Sequence, residues 1–449
     1  MTVSARQRIH AALAANGFGQ AVTIGTQLLL TPLFFRLWGS ERYGEWLMLS
    51  AIPAYLMLAD LGVSSAAANE MAMRAGARDF SGAQQTFRGA QGVAWLAAGL
   101  ALLLGALSAG LSAWSDWPAL QHVSHSEAAW VLLLLSLQVA LGFSGGVVQA
   151  GFRCAGFNGL GTTWSNLSRL GEALASAVVL LIGQGPLAMC LATLVVRGVF
   201  LAWQWALLRR RCDWLFHPPV PADRHLLRRL LWPSLAFMAF PVGYALALQG
   251  PILLIGSLFG SSAVAVFSAM RTLARLPVQF TNVLNNAVAP EVSRAHGEGR
   301  PEQVRRLHRT AWAATAGLGL LACLGLGLLG PWLSRVWLGP GRHDQVVLLG
   351  LLAVSWVSAV WNVSSIVLTA TNRHVRLSIV FLLVNALGLT LAGALGWAVG
   401  MGGLLGGLLL VEVVMLGWVL PVAWRETADG AGAFAAQLLS HVRVPIRRT

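Results

Sequence analysis

The chain has 449 residues, 56% of them hydrophobic and 11% charged, with a mean hydropathy of +0.67 and a formal net charge of +14. Soluble globular domains carry about 25% charged residues, so this composition places the chain among polytopic membrane proteins. All 31 basic residues other than histidine are arginine. Without a lysine there is neither a phosphate-binding P-loop nor a pyridoxal Schiff base, which argues against ATP hydrolysis by this chain.

A membrane-spanning helix needs about 20 mainly apolar residues. Walking the chain, the segments 12–36, 43–71, 89–113, 128–152, 163–183, 186–208, 231–257, 262–290, 310–334, 346–370, 377–399 and 403–423 meet that requirement. The first follows a basic start, but its apolar stretch runs past signal-peptide length with no small-residue cleavage site, so it reads as an uncleaved span. The longest loop predicted on the outer side is Trp114 to Glu127, too short for an extracytoplasmic catalytic domain. Spans five and six are separated only by Gly183-Gln184-Gly185. The segment 209–229, basic and proline-bearing, divides six spans from six. The domains expected are therefore a bundle over 1–208, a cytoplasmic linker over 209–229, a second bundle over 230–423 and a basic cytoplasmic tail over 424–449. Four cysteines, Cys154, Cys190, Cys212 and Cys323, are widely scattered and read as packing residues.

With the N-terminus in the cytoplasm, 23 arginines fall on the cytoplasmic side and only Arg36, Arg42, Arg335 and Arg342 on the outer side. This positive-inside asymmetry orients the chain with both termini cytoplasmic. Arg36 and Arg42 flank the first outer turn and read as interfacial anchors. The basic segments 209–229 and 291–309 are explained by topology, with anionic lipid as a further partner.

An offset of 221 residues overlays the two halves. It pairs Gly39 with Gly260, Ser40 with Ser261, Glu70 with Glu291 and Arg88 with Arg309. Because each half has an even number of spans, the copies share one direction, a parallel repeat about an axis along the membrane normal. The fold class expected is thus an all-α polytopic membrane protein of about twelve transmembrane helices, in two six-helix bundles related by a pseudo-two-fold. Binding is then expected in the cleft between halves.

The stretch RLWGSERYGEWLMLSAIPAYLMLADLG, Arg36 to Gly62, with its G-x-x-x-YG-x-W start, resembles the polysaccharide and O-antigen flippases (Wzx type) of the multidrug/oligosaccharidyl-lipid/polysaccharide exporter superfamily. The pattern from Phe259 to Arg294, FG…VAVFS…PEVSR, is similar too. The resemblance implies two bundles around a central cavity open alternately to each side, in a bacterial cytoplasmic membrane. It implies a polyprenyl-diphosphate-linked oligosaccharide as substrate and polysaccharide polymerase and assembly proteins as partners. It implies no cofactor, with coupling to H+ or Na+ left open, and no nucleic-acid partner. Two other readings remain: a drug/cation antiporter of the same superfamily, which the surplus of arginine opposes, and a membrane-embedded polymerase or ligase, which the short outer loops oppose.

Charges inside spans are costly and face a bundle interior or a wet cavity. Arg271 and Arg275 lie one turn apart in the eighth span, on one face. Their planar forks suit a diphosphate; the alternative is a structural role, bonded to carbonyls or to a neighbouring carboxylate. Arg197 reads either as cavity lining or as an interhelical ion pair. Arg169 and Glu172, three apart, read as a local pair, with Arg169 otherwise in the substrate-binding set and Glu172 otherwise an ion site. Asp60 reads as a partner for a cytoplasmic-side arginine or as a coupling-ion site. Glu412 stands alone in the last span, neutral or ion-coupling. Glu70 and Glu291 end equivalent helices beside basic segments and read as gate or loop salt bridges. Asn16, Gln20, Gln27, Asn282, Asn285 and Asn286 read as sugar ligands or as interhelical glue. The tail from Phe434 onward reads as a surface-lying amphipathic segment or as disordered.

Overall fold

A backbone in hydrocarbon must satisfy its own hydrogen bonds, so apolar runs of this length become helices. The computed structural model describes residues 5–60, 63–114, 120–216, 238–279, 288, 291–292, 295–296, 298–370, 375–430, 432 and 434. Among these residues all regular structure is helical. In chain order the α-helices are α1 (Ala5–Leu37), α2 (Gly39–Leu56), α3 (Val63–Gly76), α4 (Phe80–Trp114), α5 (His125–Cys154), α6 (Asn158–Leu181) and α7 (Pro186–Arg211). They continue with α8 (Ala239–Phe259), α9 (Ser261–Ala274), α10 (Pro301–Leu338), α11 (Gln345–Ala370), α12 (Val375–Val399) and α13 (Met401–Glu426). Among the described residues nine of these, all except α2, α3, α6 and α9, are long and apolar enough to cross a membrane by themselves.

The expected spans reappear as these helices, with two differences. The second and eighth spans are each broken. The second is α2, a 3-10 turn over Met57–Asp60, then α3. The eighth is α9, a turn at Arg275 and a short helical stretch over 276–279, beyond which residues 280–287 lie outside the described set. Pro277 has no N–H to give the Leu273 carbonyl, so the helical ladder is interrupted between α9 and the stretch 276–279 for a local reason. The second difference concerns the basic segments. α4 begins at Phe80 and α10 at Pro301, so Arg88, Arg305, Arg306 and Arg309 sit on helix extensions rather than in loops.

The repeat is visible in the backbone. Gly39 and Gly260, paired by the 221-residue offset, take φ values of 75° and 83°. Each separates the first helix of its half from the second. Left-handed φ is cheap only for glycine, which explains why the same residue recurs at equivalent corners.

The chain forms two compact units, residues 1–245 with 255–265, and residues 246–254 with 266–449. In the first, α3, α4, α5 and α7 enclose a core of Met71, Phe87, Phe143, Val147, Phe152 and Leu208. Ala90, Ala94, Ala97 and Ala101 form a buried stripe along α4. Small residues let helices approach closely where lipid supplies no hydrophobic drive between them. Gly44 on α2 shows the limit of this approach, since a Cβ there would collide with the backbone carbonyl of Ser261. Backbone cannot swing aside as a side chain can. We therefore expect Gly44→Ala to cost about 2–3 kcal/mol through overpacking and to lower the yield of monodisperse protein. Gly17→Ala, where nothing lies within 4 Å, is the neutral comparison in the same size-exclusion assay.

In the second unit α11 is the most buried of the spans. α12 and α13 meet through Gly388, which packs on Val411, and Gly407, which packs on the backbone of Ala392. Large apolar side chains point outward in both units: Leu96 in the first is 75% exposed, and Leu328 and Trp397 in the second are 82% exposed. That is a liability in water and the expected face toward lipid.

Past α13 the chain folds back on α10. The Asp429 carboxylate, only 1% exposed, accepts from Arg309 Nε at 2.8 Å and from Arg309 Nη2. Phe434 is 3% exposed among the rings of His308, Trp312 and Trp424. The segment read as surface-lying or disordered thus starts from a packed residue; residues 435–449 lie outside the described set. The hydrogen bond from Arg309 holds the Asp429 carboxyl below its usual range. A group depressed on folding stabilises fully above its unfolded value and loses that contribution as pH falls through the folded one. Asp429→Asn should lower Tm by a few degrees at neutral pH, and the gap to the parent should close below about pH 4. Thermal melts followed by tryptophan fluorescence across pH measure this.

Candidate functional site

The interrupted spans are where buried chemistry concentrates. Non-helical backbone at membrane depth is tolerated where protein or a water-filled space satisfies it, and half-helix ends are recurrent ligand sites in transporters. In the second unit Arg271 sits in the last turn of α9 and Arg275 in the turn that follows. Arg271 is half-buried. Its Nη1 donates to the Leu248 carbonyl at 2.6 Å, and its guanidinium lies 5.4 Å from the Phe267 ring centroid. Leu248 lies in α8 within one turn of Pro251, so the arginine ties the end of α9 to the backbone of α8. Arg275 is exposed. The two residues expected to act alike differ in burial: Arg271 is half-buried against backbone and ring, and Arg275 is exposed where α9 ends.

In the first unit α5, α6 and α7 share a polar seam at membrane depth. Glu172 on α6 receives a fork from Arg197 on α7, Nη2 to Oε2 at 2.7 Å and Nε to Oε1 at 3.1 Å. Arg197 Nη1 donates to the Gln138 carbonyl on α5 at 3.2 Å, and Ser168 donates to Glu172 Oε1 at 3.3 Å. Gln138 in turn donates to Thr193 Oγ1 at 2.7 Å and to the Cys190 carbonyl at 3.0 Å. Further along the helices Gln149 bridges Gly161, Ser165 and Gln204. Asn166 donates to the Ala15 carbonyl of α1 at 2.7 Å. This load of polar groups keeps α6 from reading as a span by hydropathy.

The local Arg169–Glu172 pair expected from spacing needs correction: Glu172 takes Arg197, across the helix interface, and Arg169 is exposed. The fork explains the choice, since two parallel charge-assisted bonds between helices outweigh one strained contact within a helix. Glu412 accepts from the Trp361 indole at 2.6 Å and from the Ser358 hydroxyl. Glu70 bonds Arg74, Nε to Oε1 at 2.6 Å, one turn on in α3. Glu291 is partly buried. Asp60 closes the 3-10 turn, and its side chain lies outside the described set, as do Asn282, Asn285 and Asn286. The four cysteines are free. Among the described residues no group of three or more His, Cys, Asp or Glu is placed to hold a metal.

Sequence reasoning passed over one cluster. Glu45 on α2 is fully buried, and its carboxylate holds the backbone of Gln121 and His122. The signal was present as Glu41 and Glu45 one turn apart, together with a histidine in the longest outer loop.

Among the described residues the chain is helical, with nine helices long and apolar enough to cross a membrane, the architecture of a polytopic membrane protein. Its fold is similar to an inward-facing multidrug-resistance MATE family transporter of the MOP superfamily (TM-score 0.65, 18% identity, covering 96% of this chain and 97% of that one). It is also similar to the lipid II flippase MurJ in an inward closed conformation (TM-score 0.68, 11% identity, 97% and 93% covered). A third similar structure is a MOP superfamily transporter from Pyrococcus furiosus described by a reversed binding-pocket polarity (TM-score 0.57, 16% identity, 94% and 96% covered). No curated protein sequence matches the chain. Residues 99–339, more than half of the chain, match the family described as polysaccharide biosynthesis protein, and the chain belongs to that family.

Proposed function

We propose that this protein is a flippase that moves a polyprenyl-diphosphate-linked oligosaccharide from the cytoplasmic to the outer leaflet of a bacterial cytoplasmic membrane by alternating access. The observation that carries the reading is the arginine pair at the break of the eighth span, in a chain of the polysaccharide biosynthesis family. Arg275, exposed at the break, meets the diphosphate, and Arg271 behind it adds positive field and fixes the end of α9. A guanidinium pair recognises phosphate oxygens by planar, charge-assisted bonds while leaving the sugar unread. Arg197 and Arg169 would be secondary contributors to binding of the anionic carrier. Glu172, Glu412 and Asp60 are the places where a driving H+ or Na+ would bind, and Glu70 and Glu291 would act at the cytoplasmic gate. Lipid, a polysaccharide polymerase and assembly proteins are the partners this role calls for. The two termini would be cytoplasmic.

The test is reconstitution. Vesicles carrying the purified protein and a polyprenyl-diphosphate oligosaccharide in both leaflets are treated with an impermeant glycosidase. Cleavage rising from about half toward completion supports the reading; cleavage equal to that in protein-free vesicles sinks it. The multidrug-type fold keeps one rival alive. Concentrative efflux of a cationic dye by the same vesicles, without glycan movement, would establish it instead.

A further inference from the structure

Past α13, Asp429 and Phe434 hold the chain onto α10, with four residues between them, two of them glycines. Gly430 and Gly432 have open space where a Cβ would stand, so among the described residues the grip on this tail is at its two ends. At one end the Asp429 carboxylate takes the fork of Arg309. At the other, the Phe434 ring centroid lies 5.6 Å from that of His308, 5.3 Å from Trp312 and 5.4 Å from Trp424. His308, Trp312 and Thr315 share one face of α10, and Trp424 comes from α13.

His308 Nδ1, Trp312 Nε1, Thr315 Oγ1 and Trp424 Nε1 are all buried with no hydrogen-bond partner. His308 is 2% exposed and Thr315 4%. Buried polar groups in folded proteins are nearly always bonded, because an unsatisfied one keeps the cost of leaving water. The other ring nitrogen of His308 is 3.0 Å from the Ser364 hydroxyl, so in either tautomer Nδ1 is left over. A phenyl ring brings shape and apolar area to such a place, but N–H contacts to a ring face are weak. Phe434 therefore fits the volume of the site and not its chemistry.

A ligand that fits both would have a ring of this size, lone pairs on the ring's edge and an anion within reach of Arg309. A sugar phosphate has all three: an apolar C–H face for the aromatic rings, hydroxyl oxygens to accept from the indoles, and a phosphate for the guanidinium fork. We propose that the face of α10 bearing His308, Arg309 and Trp312, closed by Trp424, binds a sugar phosphate, and that Phe434 and Asp429 fill this site in the ligand's absence. Ligand and tail exclude each other, so loading the site frees the tail. The sugar rests on the proposed function, in which the carrier is taken up on the side where the arginine asymmetry expects this end of α10. The ring-plus-anion form rests on the contacts alone.

The test is equilibrium dialysis of radiolabelled glucose 1-phosphate against the full chain in nanodiscs. Phe434→Ala, which opens the site, should bind about tenfold more tightly than the parent, because no tail has to be expelled first. Adding Trp424→Phe, which keeps a ring and loses an N–H, should weaken binding again by about tenfold. Asp429→Asn loosens the same tail and stands in if Phe434→Ala does not fold. With Phe434 alone fluorinated on its ring, the parent's 19F signal should move from a ring-shifted to a solvent position as glucose 1-phosphate is added, and stay in place with inorganic phosphate at equal ionic strength. No binding to the opened site, binding indifferent to Trp424→Phe, or release of the tail by phosphate alone overturns the proposal. Uridine monophosphate taken in place of the sugar phosphate overturns the choice of sugar. No transport is measured, so this result and the flippase assignment can fail separately.

Discussion

Arg275→Ala should cut glycan translocation about tenfold to a hundredfold, with a smaller change in Tm than Arg271→Ala, because each charge-assisted bond to phosphate contributes about 1.5–3 kcal/mol and the residue is exposed where α9 ends. Arg271→Ala should lower both transport and Tm. Its guanidinium bonds the Leu248 carbonyl of α8 and covers the Phe267 ring, and losing it removes that tie between α9 and α8. The split between the variants separates ligand recognition from architecture, which a double mutant alone would blur. Arg275→Lys should recover only part of the activity, since an ammonium keeps the charge and loses the fork. Flipping in vesicles and Tm of the same preparations are the two readouts. Undiminished glycan translocation by Arg271→Ala/Arg275→Ala would remove these arginines from the mechanism.

The Glu172–Arg197 fork should show the second large effect. Removing one partner of a buried pair costs about 3–5 kcal/mol. Here the side chains are 18% and 33% exposed, so screening reduces the expected loss to about 2 kcal/mol. Native stability is about 5–15 kcal/mol, so Glu172→Leu and Arg197→Met should each lower Tm clearly. The double variant, which replaces the pair by apolar contacts, should regain much of the loss. That recovery marks a pair whose role is positional. If the double variant is as stable as the parent yet transports nothing, the seam carries function beyond holding α6 to α7. Additive losses in the double variant would mean the two side chains do not interact energetically.

Hydropathy was enough for the broad architecture. The positions of the spans follow from local composition, because a helix in lipid needs only its own hydrogen bonds and an apolar surface. The glycine corners were equally readable: Gly39 and Gly260 stood out as a matched pair before either φ was known, since few other residues tolerate that backbone. Pro277 even encodes the stop of α9, although the span around it looked continuous because its neighbours are apolar. Partner choice was a different matter. Spacing offered Arg169 to Glu172, while folding brought Arg197 from a separate helix, and only the packing of α6 against α7 sets that distance. Arg271 and Arg275, indistinguishable by periodicity, were separated by the approach of α8 to one of them. Glu45 carried no reading in the sequence, and only folding brings residues 121 and 122 to cap its carboxylate. Segment type is written in runs of neighbouring residues. The pairing of charges depends on contacts between helices far apart in the chain, which no local pattern records.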